Sequence, residues 1–244
     1  MYKINFETPI HVHFIGIGGI SMSGLAEILL KEGFTISGSD NKESALTDHL
    51  EQMGAKVFYG QKASNIIPGI DVVVYTAAIH PDNEEYAEAV RQKLPMLTRA
   101  ELLGQLMTNY DMPIAISGTH GKTTTSTMTA HLLHQSHVEC TAFLGGISKN
   151  YGTNLLLSQT SPYTVIEADE FDRSFHWLSP YMTVITSTDP DHLDIYGTEQ
   201  AYLESFEHYT TLIQPGGALI IRKGISLQPK CSRRSCLYLL TRRG

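Results

Sequence analysis

Short apolar runs followed by glycine-rich turns recur along the chain, and the first of them leads into a helical stripe of apolar residues. That first run is HVHFI at residues 11–15, and Met22, Leu25, Ala26 and Leu29 follow the turn after it. These four positions have the i, i+3, i+4, i+7 spacing of a helix that packs one face on a sheet. The pattern predicts a strand, a glycine turn and a helix at the start of the chain.

Further apolar runs, most of them rich in β-branched residues, predict buried parallel strands. Two segments with helix-like alternation, residues 84–94 and 98–107, lie between them. Alternating strands and helices are typical of an α/β fold with mainly parallel sheets flanked by helices. Glycine-bearing loops are expected at residues 145–146 and 151–154. The predicted strands after the first are residues 34–38, 71–75, 114–116, 141–144, 163–167, 181–185 and 218–221.

The glycine turn after the first strand predicts a nucleotide site, because the N-terminus of the following helix should receive a diphosphate. The dinucleotide fingerprint GxGxxG would need glycine where this chain has Ser21, so the kind of nucleotide stays open. Asp40 follows the second strand, where an acidic residue commonly accepts hydrogen bonds from a ribose. The alternative for Asp40 is a solvated loop carboxylate.

Small residues follow the run at 71–75 and would let a flat ring approach the backbone at the carboxyl edge of the sheet. Together with the turn they complete the first predicted site. Its residues are Gly16, Gly18, Gly19, Ile20, Ser21, Met22, Asp40, Thr76, Ala77 and Ala78.

The segment PIAISGTHGKTTT at residues 113–125 predicts a polyphosphate site. Gly118 and Gly121 would let backbone N–H groups turn toward the anion, and Lys122 would contact the β and γ oxygens. The Thr123 hydroxyl would be a ligand for the accompanying Mg²⁺. The motif is the short form GxxGK[ST], since the full form needs glycine where Ile116 stands. An ordinary glycine-rich turn is the alternative.

Two polar segments follow later strands of the same predicted sheet. EADEFDR at residues 167–173 holds four carboxylates within six residues, and Glu167, nearest the strand, is expected to face the Mg²⁺. In TSTDPDHLD at residues 186–194, His192 lies between aspartates that could fix its tautomer. It could hold a second metal ion or orient a phosphoryl group. A solvated surface is the alternative for the acidic segment, and most of the eleven histidines are expected to have no special role.

The length and the break in the pattern predict two domains, since a chain of 244 residues exceeds the ~100 to 200 residues of a typical domain. NYDM at residues 109–112 separates a predicted helix from the run that opens the second sheet. We therefore predict a Rossmann-like domain at residues 1–108, a P-loop-type domain at 109–230, and a distinct tail at 231–244.

Composition narrows the function classes. The net charge of -7 argues against a nucleic-acid surface and against a polybasic membrane patch. No apolar run approaches the ~20 residues of a membrane span, and the first ten residues lack the apolar core of a signal peptide. We expect a cytoplasmic protein that does not bind membranes. Three cysteines give neither a disulfide framework nor a CxxC metal pair.

The motifs resemble those of the ATP-dependent Mur ligases. GIGGISMSGLAE at 16–27, GTHGKTTT at 118–125, EADEFDRSF at 167–175 and DHLD at 191–194 occur in the family's order and spacing. The resemblance covers about residues 10–228. It implies a first domain that holds the UDP part of UDP-N-acetylmuramate, a central domain that binds ATP, and a C-terminal domain that helps bind ATP and the amino acid.

The implied reaction is amide formation through an acyl phosphate. ATP phosphorylates the lactyl carboxylate, the amine of L-alanine attacks, and ADP and phosphate leave. The resemblance places Lys122 on the ATP phosphates, Thr123 and Glu167 on one Mg²⁺, and His192 on a second, so that Lys122, Glu167 and His192 are the predicted catalytic residues. The implied ATP-binding residues are Gly118, Thr119, His120, Gly121, Lys122, Thr123 and Thr124.

Several departures from the family pattern bear on function. Ser21 and Ser187 stand where glycine and asparagine are usual. Members that add D-glutamate or a diamino acid carry a metal-bridging lysine after DHxD, and residues 192–221 contain none, which favours the alanine-adding branch. The second sheet is expected to stop at the strand 218–221 with an exposed edge.

The last fourteen residues, CSRRSCLYLLTRRG, do not resemble the family and carry four arginines without an acid. A shifted reading frame from about residue 230 is one hypothesis, and a natural basic tail is the other. A complete ligase of this family is nearly twice as long. The chain is therefore expected to be an N-terminal part with little or no ligase activity of its own.

Three other functions remain open from the sequence. The chain could be a nucleotide- or UDP-sugar-binding module without ligase activity, or part of the related ligase that attaches a whole peptide to the same sugar nucleotide. An NAD-dependent dehydrogenase rests on the glycine turn alone, and Ser21 counts against it. The sequence makes no prediction of the oligomeric state.

Overall fold

The computed structural model describes residues 2–231 and 236–240. They fall into two compact units, of which the first ends at Gln105 and the second begins at Leu106. Each unit is built on a sheet whose strands are mainly parallel, as the alternating pattern predicts. Within the described ranges, no helix is both long enough and apolar enough to cross a membrane.

The first unit is a five-stranded parallel sheet with helices between its strands. Its elements are β1 (His11–Ile15), α1 (Ile20–Lys31), β2 (Thr35–Asp40), α2 (Ala45–Gln52), β3 (Lys56–Tyr59), a 3₁₀ turn (Ala63–Asn65), β4 (Val72–Tyr75), α3 (Glu84–Arg91), β5 (Met96–Thr98) and α4 (Arg99–Met107). The strand order is β3-β2-β1-β4-β5.

The order of strands reverses at β1, which pairs in parallel with both β2 and β4. At such a reversal the loops after the two neighbouring strands leave a crevice at the carboxyl edge. Val12, Phe14 and Ile15 are completely buried and fix β1 in the centre of the unit. The glycine turn after β1 and residues 76–78 after β4 therefore lie at the same edge.

A chain of buried polar groups crosses the sheet beneath this edge. His13 and Glu85 are both fully buried, and His13 Nε2 donates to Glu85 Oε1 over 2.6 Å. The Ser39 hydroxyl donates to Glu85 Oε2, also over 2.6 Å. On the other side His13 Nδ1 and His11 Nε2 each lie 2.8 Å from the Ser37 hydroxyl. Buried charged and polar groups are tolerated only when their hydrogen bonds are satisfied, and here both Glu85 oxygens have a partner.

The second unit is built on a seven-stranded sheet, and among its described strands only β7 and β8 pair antiparallel. Its elements are β6 (Met112–Ser117), α5 (Lys122–His134), β7 (Thr141–Ser148), β8 (Thr153–Leu156), β9 (Tyr163–Glu167), a 3₁₀ segment (Phe171–Trp177), β10 (Met182–Ile185), α6 (Leu193–Tyr196), α7 (Glu199–Thr211), β11 (Ala218–Arg222) and β12 (Cys236–Leu240). The strand order is β12-β11-β10-β6-β9-β7-β8.

One apolar cluster of the second unit lies between β6 and α5. Ile114 and Ile116 of β6 pack with Ala130 of α5 and with Cys140, which precedes β7. Burial raises the pKa of the Cys140 thiol to about 11, so it behaves as a small apolar group. This cluster seats α5 directly after the carboxyl end of β6.

The loops predicted at residues 145–146 and 151–154 are partly wrong. Both glycines of the first pair lie within β7, whose pairing with β8 shifts register between Phe143 and Ser148. Glycine inside a strand often marks such an irregularity or a close approach, rather than a loop. Residues 153 and 154 belong to β8, which pairs back on β7.

The edge of the second sheet also differs from the prediction. β11 is covered by β12, which pairs with it in parallel from Ala218 to Arg222. Of the predicted tail, the structure describes Cys231 and the backbone of residues 236–240. The four arginines behind the reading-frame hypothesis lie outside the described residues.

The buried pair gives a testable prediction for the stability of the first unit. Glu85→Gln removes the charge opposite His13 and should lower the free energy of unfolding by roughly 2 to 4 kcal/mol. Glu84→Gln is the matched control, because Glu84 lies in the same first turn of α3 and is exposed. Urea unfolding of both variants checks this; equal stability of the two would contradict it.

Candidate functional site

The loop between β6 and α5 has a backbone that only glycine fits at its first position. Gly118 has φ +125°, and a Cβ there would overlap the Thr186 hydroxyl and lie 2.8 Å from the Ser187 nitrogen. Gly121, with φ +83°, is the N-cap of α5 and contributes no side chain to it. The chain thus turns sharply from the end of β6 into α5 against the segment after β10.

Two residues of the segment after β10 hold this loop in place. The Ser187 hydroxyl accepts from the His120 amide over 2.9 Å, and the Ser187 carbonyl accepts from the Thr119 amide over 3.2 Å. The Thr186 hydroxyl donates to the His120 carbonyl over 2.5 Å. Ser187, where the family usually has asparagine, therefore supplies a polar contact to the loop itself.

The Thr119 and His120 amides already donate hydrogen bonds to Ser187, so fewer amides of the loop are available to bind an anion. The Thr119 hydroxyl also contacts the Asp189 carbonyl at 2.6 Å and the Tyr202 hydroxyl at 2.7 Å. The His120 side chain is exposed. The amides of the first turn of α5 have no acceptor in the helix and no side-chain cap. They point a positive helix end at the site, which suits a phosphate.

Thr123 and Glu167 come together as the sequence predicts. The Thr123 hydroxyl donates to Glu167 Oε1 over 3.0 Å. Glu167 Oε2 is buried and has no hydrogen-bond partner within the described part of the chain. A buried carboxylate oxygen without a partner, next to a hydroxyl, is a donor set that a hard cation such as Mg²⁺ prefers. These residues fit the magnesium ion that the family implies.

Gly145 makes the position of Glu167 possible. A Cβ on Gly145 would overlap the Glu167 carboxylate, with Cδ only 2.6 Å away. On Gly146 the nearest atom to a Cβ would be the Thr123 methyl carbon at 4.0 Å. The first glycine of the pair thus leaves room for the carboxylate, and the second does not restrict it.

Lys122 makes an ion pair that the sequence reasoning missed. Its ammonium donates to both oxygens of Glu170, over 2.9 and 2.8 Å. The Glu170 side chain is 1% exposed and that of Lys122 is 15% exposed. Burial is the larger effect and raises the pKa of Glu170 above its ordinary value, although the hydrogen bonds from Lys122 lower it. Four carboxylates crowd the segment, and nothing in the sequence distinguishes the one that faces the lysine.

His192, the residue predicted to hold a second ion, contacts Asp191 and Phe171. It starts α6 with φ 52°, its Nε2 lies 3.8 Å from Asp191 Oδ2, and its ring packs edge-on against Phe171 at 5.2 Å. Among the described residues it has no hydrogen bond or ion pair with Thr123 or Glu167, and no cluster of three or more His, Cys, Asp or Glu side chains could hold a metal. Its role on a second ion stays a prediction.

The glycine turn of the first unit is closed by hydrogen bonds to the end of β2. The Ser39 carbonyl accepts from the Gly16 and Ile17 amides over 2.8 and 2.9 Å, and Asp40 Oδ2 accepts from the Gly18 amide over 2.9 Å. The Asp40 carboxylate is therefore engaged with the turn, and its contact with a ribose stays a prediction. The Gly19 amide bonds back to the Gly16 carbonyl.

A cation that the sequence reasoning did not consider lies beside this turn. Arg99 Nη1 donates to the Ser21 hydroxyl over 3.1 Å, and Ser21 is exposed in the first turn of α1. Gly19 caps α1 without a side-chain hydrogen bond, so the Ser21 and Met22 amides open the helix as possible donors. After β4, the Thr76 carbonyl accepts from Ile79 within its own loop. Ala77 and Ala78 are exposed there.

Comparison with known families covers nearly the whole described chain. The model "Mur ligase family, catalytic domain" matches residues 11–111, and the Mur ligase middle domain matches residues 116–231. A UDP-N-acetylmuramate--L-alanine ligase of Phocaeicola vulgatus is 57% identical over 232 residues, which is 93% of this chain and 50% of that protein. One of Parabacteroides distasonis is 51% identical over 90% of this chain and 48% of its own length. The chain spans about half the length of these relatives.

Two solved structures share the fold. The UDP-N-acetylmuramate-alanine ligase of Thermotoga maritima has a TM-score of 0.80 and 29% identity, over 93% of this chain and 52% of that one. A UDP-N-acetylmuramate:L-alanyl-gamma-D-glutamyl-meso-diaminopimelate ligase from Neisseria meningitides has a TM-score of 0.83 and 28% identity, over 90% and 73%.

Gly145→Ala tests the fit of the magnesium site. The new methyl group should push the flexible Glu167 carboxylate away from Thr123 with little loss of stability, because the far end of a side chain can move. We expect the Mg²⁺-dependent part of ADP affinity, measured by calorimetry with and without Mg²⁺, to fall by roughly tenfold or more. Gly146→Ala, one residue along the same strand, should retain it. An equal loss in both variants would argue against this assignment of Glu167.

Proposed function

The chain belongs to the Mur ligase family, and we propose that it supplies the UDP-sugar-binding and ATP-binding parts of a UDP-N-acetylmuramate:L-alanine ligase. Relatives that are 57% and 51% identical carry that name. The observation that carries the proposal is the convergence of Lys122, Thr123 and Glu167 at the carboxyl ends of β6 and β9. The chain is about half as long as these relatives, so the complete reaction is proposed for the whole protein.

In the second unit, the proposed task is to hold the ATP phosphates and orient the terminal one. Lys122 and the first turn of α5 supply positive charge and N–H donors to the phosphate oxygens. Thr123 and Glu167 would hold Mg²⁺, which when bound neutralises phosphate charge. Phosphoryl transfer to a carboxylate brings two anions together. It therefore depends mainly on such cations and on positioning.

In the first unit, the proposed task is to hold the UDP part of UDP-N-acetylmuramate at the strand-order reversal. The Ser21 and Met22 amides at the start of α1 would meet the diphosphate, with Arg99 as a nearby positive charge. Residues 76–78 after β4 leave an open backbone for the flat uracil ring. A protein that consumes ATP and a nucleotide-linked sugar is expected in the cytoplasm.

The peptide-attaching ligase is a weaker candidate. The relatives at 57% and 51% identity are named alanine ligases, whereas the solved structures of the two kinds of ligase, at 29% and 28% identity, do not discriminate between them. Residues 192–221 contain no lysine, which argues against members that add D-glutamate or a diamino acid. This absence does not discriminate between the alanine-adding and the peptide-attaching ligases. In the whole protein, phosphate release from ATP should be faster with L-alanine as the acceptor than with the tripeptide L-alanyl-gamma-D-glutamyl-meso-diaminopimelate. The reverse preference would support the peptide-attaching ligase.

Binding of two different ligands to two units tests the proposal directly. The unaltered chain should bind both Mg²⁺-ADP and UDP-N-acetylmuramate in a calorimeter. Lys122→Gln should weaken ADP binding by roughly ten- to a hundredfold, because charge-assisted hydrogen bonds to phosphate are lost, and should leave the sugar nucleotide unaffected. Lys149→Gln is the control, since Lys149 is an exposed lysine of the same unit.

Gly18→Ala is the corresponding variant for the first unit. Its Cβ would lie 2.8 Å from Asp40 Oδ2 and 3.0 Å from the Thr47 methyl group, so the turn must open. UDP-N-acetylmuramate binding should fall while ADP binding is retained. Binding of NAD instead of the sugar nucleotide, or loss of both ligands in either variant, would contradict the assignment of one nucleotide to each unit.

A further inference from the structure

The phosphate-binding lysine already has an anionic partner in the protein. Both oxygens of Glu170 accept hydrogen bonds from the Lys122 ammonium, at 2.9 and 2.8 Å. An ammonium has three N–H donors, so this contact leaves one for a phosphate. The carboxylate also places a full negative charge beside the site that is proposed to receive the most highly charged part of the nucleotide.

Glu170 is held where it is by contacts on its backbone. The Tyr196 hydroxyl, in the segment that follows DHLD, donates to the Glu170 carbonyl over 2.5 Å. The Arg173 guanidinium lies over the Tyr196 ring at 4.7 Å from its centroid. Asp172 and Arg173 both have left-handed backbone angles, φ 49° and 55°. Consecutive residues of this kind persist only where surrounding contacts impose the conformation.

The burial of Glu170 explains why it stays with the lysine. With a side chain that is 1% exposed, the carboxylate would be an uncompensated buried charge if the ammonium moved away. Lys122, which is more exposed, can reach a ligand at the loop while it keeps one of the two contacts. The pair is therefore asymmetric: the anion is fixed and the cation can be shared.

We propose that Glu170 is a resident counter-ion of Lys122, which positions the ammonium at the loop of residues 118–121 before a nucleotide binds and then competes with the nucleotide's phosphates for it. This inference rests on the proposed ATP-binding function. Glu170 acts through Lys122 and does not itself contact the nucleotide. Its consequence is that the protein binds ATP and ADP less tightly than the lysine alone would allow, with the lysine already oriented when the nucleotide arrives.

Glu170→Gln is the decisive variant, because it keeps the shape of the side chain and removes the competing charge. Mg²⁺-ADP and a non-hydrolysable ATP analogue should bind roughly three- to tenfold more tightly than to the unaltered chain. AMP, which lacks the β and γ phosphates that Lys122 would contact, should bind as before. Asp172→Asn is the matched control. It removes one negative charge two residues away, and Asn tolerates the left-handed backbone of that position.

A double variant separates this role from a merely structural one. In the Lys122→Gln background, adding Glu170→Gln should no longer tighten ADP binding, because the cation that the two anions share is absent. It should also recover stability that Lys122→Gln loses, since Lys122→Gln alone leaves Glu170 buried and unpaired. This stability cycle needs no nucleotide. If Glu170→Gln folds poorly, Glu170→Asp, which withdraws the carboxylate by one methylene, should give a smaller gain of the same sign.

Each outcome decides something different. Suppose that the unaltered chain binds ADP but that Glu170→Gln binds it equally or less tightly. This result would overturn the counter-ion role and leave the proposed function intact. Equal tightening by Asp172→Asn, or tightening that persists without Lys122, would reduce the effect to general charge and overturn the proposal as well. Absence of ADP binding by the unaltered chain would overturn both proposals.

Discussion

The parallel pairing of β6 with β9 on one side and β10 on the other is the constraint on which the second unit depends. Three adjacent strands that run in the same direction deliver their following residues to one edge of the sheet. β6 leads into the loop at residues 118–121, β9 ends in Glu167, and the segment after β10 carries Ser187. No single motif makes the site; hydrogen bonds between segments that are more than forty residues apart in sequence do.

This pairing also explains which amides remain for a phosphate. Ser187 takes the Thr119 and His120 amides, so the loop is fixed before any ligand arrives. A bound phosphate would then meet the first turn of α5 and Lys122. Preorganised donors need not be reoriented when a phosphate binds, and they keep their geometry during phosphoryl transfer. The short form of the motif, with Ile116 in place of a glycine, is compatible with this, because Ile116 is a completely buried residue of β6.

The sequence predicted the elements with strong local signals and missed those whose position depends on distant contacts. The strands at residues 11–15 and 163–167 are found with the predicted bounds, since both are short apolar runs that end in a glycine turn or a carboxylate. The sequence predicts a loop at the interior glycines of β7, because the need for Gly145 comes from the Glu167 side chain on a neighbouring strand. The partner of Lys122 was missed for the same kind of reason. Which carboxylate of a crowded segment turns inward is decided by packing around Tyr196.

Two buried ion pairs among the described residues, one in each unit, differ in their exposure to solvent. His13 and Glu85 are both sealed from solvent, and every oxygen of the carboxylate has a partner, so the pair can do little except hold β1, β2 and α3 together. The pair in the second unit is sealed on the carboxylate side only.

Solvent exposure also explains why the turn of the first unit tolerates Ser21. The third glycine of a dinucleotide fingerprint serves close packing of helix on strand, yet Ser21 is exposed and its hydroxyl faces Arg99, so a side chain is tolerated. The departure from the dinucleotide pattern thus has a structural reason, and Arg99 would lie beside the diphosphate that we propose for this turn.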